Sequence, residues 1–412
     1  MKVKYKVLTV AMCIGMTMSG CSLNSANRSY NKAVSAYEES DFGIAKSYFE
    51  KAIDKNPDKA EYHLDYGFTL LALKDYVKAR EQFAYVIMDK DIPMVKENNK
   101  KAYRGIGITY LSEANFEDAI TYFDFSLQAG EDTSIDIDVM FYKASALEQL
   151  GKLQEAVELY SKILEMRSED ASIYNARANL YRLLGEYDLS IADYDKAIEL
   201  SPDVFNFYVG KFATLKEYGK NVEAIAVLEQ AAHLKVTTDQ DKYELAKVHF
   251  YQGNYEVAMN EFALSKEAGF TSADYFIGEI YLSNKDYANA VKCFKEYVAN
   301  GNIVFAKLYN QMMTCFLQLE DYEMAKDCLD KAKKLTDISI QDQLLKNEII
   351  YLEHVGKFQE ALTKMEAYLK KYPEDEHALK DYYFLITRVQ VPSIPGSEVD
   401  GGVLGETSVE KP

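Results

Sequence analysis

The sequence predicts an all-α chain built as a solenoid of about ten helix-turn-helix units closed by a C-terminal capping helix. Three observations predict it: a small residue that returns about every 34 positions, a large apolar residue four places after it, and a scarcity of helix breakers. The chain has 412 residues and 48% of them are apolar, enough for an extended core and too many for a disordered chain. Glycine and proline number only 20 and 7, which fits long helices interrupted at turns. Trp is absent while Tyr reaches 33, so Tyr and Phe supply the large packing side chains.

The repeat is read from Ala45, Ala79, Ala119, Ala156, Ser190, Ala224, Ala258, Ala290, Ala325 and Ala361, whose successive spacings are 34, 40, 37, 34, 34, 34, 32, 35 and 36. Four residues after each stands Phe49, Phe83, Phe123, Tyr160, Tyr194, Leu228, Phe262, Phe294, Leu329 or Met365. Residues i and i+4 share a helix face, so the small residue lets a second helix B approach a first helix A and the large one fills the gap beside it. Gly151, Gly185, Gly219, Gly253 and Gly356 fall at the A–B turn, where a left-handed backbone is required. Pro57, Pro202 and Pro373 stop helix B. No unit buries its apolar face alone, so stacking generates one continuous core. The two longer spacings place irregular connections near 91–99 and 131–137.

The fifth unit carries Tyr174, Ala178, Tyr181, Gly185, Tyr187, Tyr194, Ala197 and Pro202. This resembles the tetratricopeptide repeat, with Tyr in place of its Trp and Ala in place of its Gly, and the resemblance covers residues 26–375. It implies a right-handed superhelix whose concave wall is made of A helices and binds extended peptides or partner helices. Mapping that register puts Tyr30, Val34, Tyr37, Leu64, Phe68, Leu71, Ile108, Leu111 and Phe141 on the wall, then polar Glu148, Asn175, Asn179, Arg182, Asn206 and Lys216, then Tyr243, Phe250, Tyr251, Tyr275 and Leu282. The alternative is that these residues only pack against neighbouring helices. Lys101 with Arg104, or Asn175 with Asn179, are fragments of the family's carboxylate clamp in non-adjacent units, so recognition of acidic C-termini is not carried over.

The N-terminus reads differently. Lys2, Lys4 and Lys6 precede an apolar run from Val7 to Met18, and Met18-Ser19-Gly20-Cys21 follows. This is a signal-peptide layout, 1–20, too short for a membrane span. Its ending resembles the bacterial lipobox, which implies cleavage before Cys21 and a diacylglyceryl group on its thiol. Two acyl chains suffice for stable anchoring on the extracytoplasmic face of a bacterial membrane. Residues 21–29 then serve as a short linker, 376–389 as the capping helix and 390–412, rich in Pro, Gly and Ser, as a disordered tail.

Charge and chemistry narrow the function. The formal charge is −18, and loss of three lysines with the signal peptide leaves −21. Such a surface repels phosphate backbones, which excludes nucleic acid as partner. It keeps the chain soluble, or else docks a basic partner. No catalytic signature is present: Gly105-Ile106-Gly107 begins like a dinucleotide loop but lacks the third glycine. The five histidines, His63, His233, His249, His354 and His377, make no metal spacing. Asp132, Ser134, Asp136 and Asp138 start like a calcium loop but lack its glycine and its bidentate Glu, and read as a solvated connection. No cofactor and no metal are expected. Cys293, Cys315 and Cys328 read as small core residues, with a Cys293–Cys315 or Cys315–Cys328 bridge left open. These observations predict a lipid-anchored, non-enzymatic scaffold that binds proteins or peptides, in envelope assembly, secretion or a surface complex. The alternative is a ligand-capture lipoprotein that takes a peptide or glycan into the groove.

Overall fold

A computed structural model describes residues 25–335 and 340–390. The signal segment 1–20, Cys21 and the tail from 391 lie outside the described residues. The described residues form two compact units, divided between Thr237 and Thr238, and contain twenty-one α-helices and no strand.

In the first unit the helices pair as α1 (Ser25–Glu38) with α2 (Phe42–Lys55), α3 (Ala60–Ala72) with α4 (Tyr76–Val86), and α5 (Pro93–Ser112) with α6 (Phe116–Gln128). Then follow α7 (Thr133–Gln149) with α8 (Leu153–Met166), α9 (Ala171–Leu183) with α10 (Tyr187–Leu200), and α11 (Phe205–Glu217) with α12 (Asn221–Ala232). The second unit pairs α13 (Asp239–Tyr251) with α14 (Tyr255–Glu267), α15 (Ala273–Ser283) with α16 (Tyr287–Ala299), α17 (Ala306–Gln318) with α18 (Tyr322–Lys334), and α19 (Gln341–His354) with α20 (Phe358–Lys371). It ends on α21 (Glu376–Gln390), which packs on α20.

The repeat pattern is the core. The ten small residues that set the period are each at most 1% exposed, and the ten large residues four places on are at most 4% exposed. Phe123 shows why helix A carries glycine: a Cβ on Gly107 of α5 would stand 2.5 Å from the Phe123 ring of α6. Gly105-Ile106-Gly107 is therefore a packing device inside a helix. Within each pair the A–B turn reverses the chain through one left-handed residue. Gly151, with φ of 72°, is typical, and the Lys152 N–H behind it donates to Leu147 O at 2.9 Å. At five other turns Ser40, Lys74, Ala114, Lys285 and Glu320 take the same conformation with side chains.

Three expectations are corrected. Helix α1 begins at Ser25, inside the expected linker 21–29, because Ala26 and Ser29 are buried and Ala26 packs with Ala52 and Tyr62. The extra residues of the two long spacings add helix rather than loop: α5 starts at Pro93 and α7 at Thr133, leaving only 87–92 and 129–132 irregular. The calcium-like acids are each engaged. Asp132 caps α7, accepting from the Ser134 and Ile135 amides at 3.1 Å; Asp136 pairs with Lys100 at 2.5 Å; Asp138 accepts from Arg104. Cys293, Cys315 and Cys328 are all free, so neither bridge forms. Burial pushes the Cys315 and Cys328 thiols up to about 12, leaving them protonated and inert.

Candidate functional site

Each A helix touches the A helix of a neighbouring pair as well as its own B helix: α1 with α3, α3 with α5, α5 with α7 and α9 with α11 in the first unit, and α13 with α15 and α17 with α19 in the second. The A helices thus form a layer of their own in each unit, and the predicted site residues lie on it.

In the first unit α1, α3 and α5 gather Tyr30, Val34, Tyr37, Phe68 and Leu71, all half-buried, around a core that includes Leu64. Leu71 and Phe141 meet Ile108 and Leu111 one pair further on. The structure corrects the register reading at four positions. Leu64, Ile108 and Leu111, and Tyr243 in the second unit, are 5 to 8% exposed and serve as core, not wall. Neighbouring A helices and connections cover them: Val139 and Tyr142 of α7 pack with Ile108 and Leu111, while Phe276 of α15 and Phe270 of the α14–α15 connection pack on Tyr243.

Charged groups that composition alone did not single out sit among these aromatics. Tyr30 Oη donates to Asp65 Oδ2 at 2.6 Å. Desolvation pushes the Asp65 carboxyl up to about 6, although the Tyr30 hydrogen bond and the Lys101 ammonium pull it down. Burial, then Asp65 itself, raises Tyr30 far above an ordinary phenol. Arg104 of α5 donates to Asp138 of α7 and lies 5.5 Å from the Phe68 ring centroid. The result is a strip of half-buried aromatic and charged side chains across α1, α3, α5 and α7.

Further along the same unit α9 carries Asn175, Asn179 and Arg182. Asn179 is internally satisfied: its Nδ2 donates to Asn175 O at 2.8 Å and its Oδ1 accepts from Tyr194 Oη at 2.9 Å. Arg182 Nη1 donates to Glu217 Oε1 of α11 at 2.6 Å. Asn175 Oδ1 and Arg182 Nε, by contrast, are buried atoms with no hydrogen-bond partner. They stand seven residues apart on one helix face, about 10 Å along the axis.

The second unit has its own wall. Phe250 and Tyr251 of α13 pack edge-on at 5.3 Å, and both meet Phe276 of α15. Tyr251 stays 37% exposed, and desolvation of its ring face, with Glu279 and Glu244 beside it, raises its hydroxyl above an ordinary phenol. Glu279 is a hub: Tyr275 Oη and Gln311 Nε2 both donate to it, and Lys307 Nζ stands 3.2 Å away. Asn347 Nδ2 of α19 donates to Asn310 Oδ1 at 2.8 Å and Thr314 Oγ1 at 2.9 Å on α17. Gln311 Oε1 is buried without a partner. Asp65, Glu279, Asn310, Gln311 and Asn347 are not among the wall residues that the sequence pattern singled out, because acidic and amide residues are common along this chain and only packing shows which of them are desolvated. The same register, 15, 11 and 8 places before the small residue, reaches Glu279 in unit eight and Asn310 in unit nine, while Gln311 and Asn347 stand one place beyond it.

Among the described residues no group of His, Cys, Asp and Glu is placed to hold a metal ion, and no helix is long and apolar enough to cross a membrane.

Two family models, each described as tetratricopeptide repeat, match this chain, one over residues 171–204 and the other over 30–92, 104–171 and 243–302. Among curated proteins the chain is 25% identical over 208 residues to the protein STIP1 homolog of Dictyostelium discoideum, covering 50% of this chain and 30% of that one. It is 26% identical over 211 residues to the TPR repeat-containing protein MJ1428 of Methanocaldococcus jannaschii, covering 48% and 35%. The chain thus spans about a third of the length of these relatives. A solved tetratricopeptide repeat protein from Parabacteroides merdae is 15% identical with a TM-score of 0.46, covering 61% of this chain and 98% of its own.

Proposed function

We infer a binding function from an established premise: this chain belongs to the tetratricopeptide-repeat family, whose proteins mediate protein–protein interaction. In our reading the chain is a non-enzymatic scaffold, anchored by acyl chains on Cys21 to the extracytoplasmic face of a bacterial membrane. It holds an extended segment of a partner protein along its A helices and serves envelope assembly, secretion or a surface complex. The Lys2–Lys6 charge, the apolar run and the Met18-Ser19-Gly20-Cys21 box support the anchor.

One observation carries the binding site. Asn175 Oδ1 and Arg182 Nε are a buried acceptor and a buried donor, both unpaired, on one face of α9. Leaving such a group unsatisfied costs about 1–3 kcal/mol, and in our reading a ligand with amide donors and acceptors completes this network. A peptide main chain offers both. The half-buried Tyr37, Phe68 and Phe141 supply apolar contact area further along the layer, and Asp65 offers a desolvated carboxylate to a basic side chain.

The test is selection of peptides from a displayed random library on the purified chain, followed by titration against Phe68→Glu and Arg182→Ala. Both variants are expected to weaken the selected peptides at least about tenfold, the effect of roughly 1.4 kcal/mol. Undiminished binding to both variants places the site elsewhere. Binding of oligosaccharides in the peptides' place favours the ligand-capture reading instead.

A further inference from the structure

We propose that residues 85–94 form a second, non-covalent membrane contact, seated in the interface of the bilayer that holds the Cys21 acyl chains. The inference rests on the lipid-anchor reading above. It starts from helix direction. Helices in a pair run antiparallel, so in the first unit the N-termini of the A helices and the C-termini of the B helices share one edge. Contacts tie that edge together. Lys55 Nζ at the end of α2 donates to Ser25 O at 3.5 Å and Ser29 Oγ at 3.4 Å. Tyr62 at the start of α3 donates to Asn27, and its neighbour His63 stacks on Tyr85 at the end of α4, with ring centroids 4.1 Å apart. Four chain steps from Cys21 to Ser25 reach at most about 14 Å. An acylated Cys21 therefore tethers this edge of the first unit to the bilayer surface.

On that edge the α4–α5 connection exposes a cluster of large apolar side chains where other connections expose one or none. The connections at 56–59 and 167–170 consist of polar residues and proline, and those at 201–204 and 233–237 expose one large apolar side chain each, Val204 and Val236, both by 37%. The α4–α5 connection instead exposes Tyr85 by 51%, Met88 by 43%, Ile92 by 47% and Met94 by 68%. It is held in shape: Asn99 of α5 accepts from the Met88 N–H at 3.0 Å and donates to Met88 O at 2.7 Å, and Pro93 opens α5. Asp91 is paired with Lys96, so the patch brings little net charge to the interface. The chain cleaved before Cys21, of charge −21, gains nothing from anionic headgroups, so the contact proposed with lipid is apolar, with Tyr at the headgroup level. Four such side chains bind a membrane weakly by themselves. Tethered by the anchor, they act at high effective concentration.

The chain lacks Trp, so Met94→Trp makes a lone fluorescent reporter at a site already exposed. Leu183→Trp, 53% exposed at the opposite, A–B edge of the same unit, is the control. Full-length protein purified from bacterial membranes is reconstituted into phosphatidylcholine–phosphatidylglycerol vesicles with brominated acyl chains, and the mass of the N-terminal peptide reports acylation. The expected result is about a twofold quenching of Met94→Trp, as for a side chain 5–10 Å into the headgroup–acyl boundary, with Leu183→Trp unquenched. Equal quenching of the two in acylated, vesicle-bound protein overturns this contact and leaves the anchor standing. Unacylated protein that stays in the vesicle supernatant overturns the anchor and this contact together.

Discussion

Replacing Asp65 by Asn should stabilise the protein above pH 6 and remove a pH dependence that the wild type carries. Desolvation holds the Asp65 carboxyl at about 6 in the folded chain, against 3.8 for a free aspartate. The folded state therefore keeps its proton when the unfolded state has lost it. Between those two values the folded state binds more protons, so stability falls as pH rises. The penalty is absent below pH 3.8, grows between 3.8 and 6, and is complete above 6. A difference of about two pH units corresponds to an order of 3 kcal/mol. Asn keeps an acceptor for the Tyr30 hydroxyl and carries no charge to desolvate. Other carboxylates titrate in the same window, but the difference between wild type and variant isolates this one. The assay is urea unfolding followed by circular dichroism at pH 4, 5, 6 and 7. With a slope of roughly 3 kcal/mol per molar urea, the variant midpoint should match the wild type near pH 4 and exceed it by about 1 M at pH 7. Two curves that stay parallel from pH 4 to 7 would refute a carboxyl whose desolvation outweighs its Tyr30 and Lys101 partners.

Further expectations concern the repeat itself. Phe123→Ala should cost about 3–5 kcal/mol, because its ring is fully buried against Gly107, whereas Phe125→Ala, two residues on and 44% exposed, should change urea stability by less than about 0.5 kcal/mol. Ala114 holds a φ of 59°, so Ala114→Gly should raise thermal stability by up to about 1 kcal/mol while Gly151→Ala lowers it by a similar amount. Glu353 is partnerless at one buried oxygen and is pushed up to about 7 by burial and by Asp381 of α21. Glu353→Gln should therefore flatten the loss of stability of the second unit as pH rises from about 4.5 to 7, read by hydrogen exchange in α19 and α21.

Much of the fold was legible because it is periodic. A residue at each of ten positions had to be small for helix B to approach helix A, and all ten are buried where the spacing put them. What the sequence left open followed from local energetics. Lys74 and Ala114 occupy left-handed turns that look like ordinary helix in a propensity reading, since the turn geometry is imposed by the packed pair. Ser25 starts α1 early because Ala26 has a core to fill. On the wall, register placed Tyr30, Tyr37 and Phe68 at the surface of the A layer. It could not separate them from Leu64 or Ile108, because burial there depends on how closely the next A helix approaches. The unpaired atoms of Asn175 and Arg182 were invisible for the same reason: a sequence shows which polar groups exist, and only packing shows which lack partners.

The central claim is that the A-helix layer is where a partner sits. The most direct measurement is site-specific photo-crosslinking in intact bacterial membranes, with the photoreactive residue at Phe68, at Asn175, or at Val222 of α12, which is 79% exposed on a B helix. The account predicts the same crosslinked protein from Phe68 and Asn175, lost when Arg182 is changed to Ala, and none from Val222. Crosslinks from Val222 with none from Phe68 or Asn175 would contradict it and move the binding surface to the B helices.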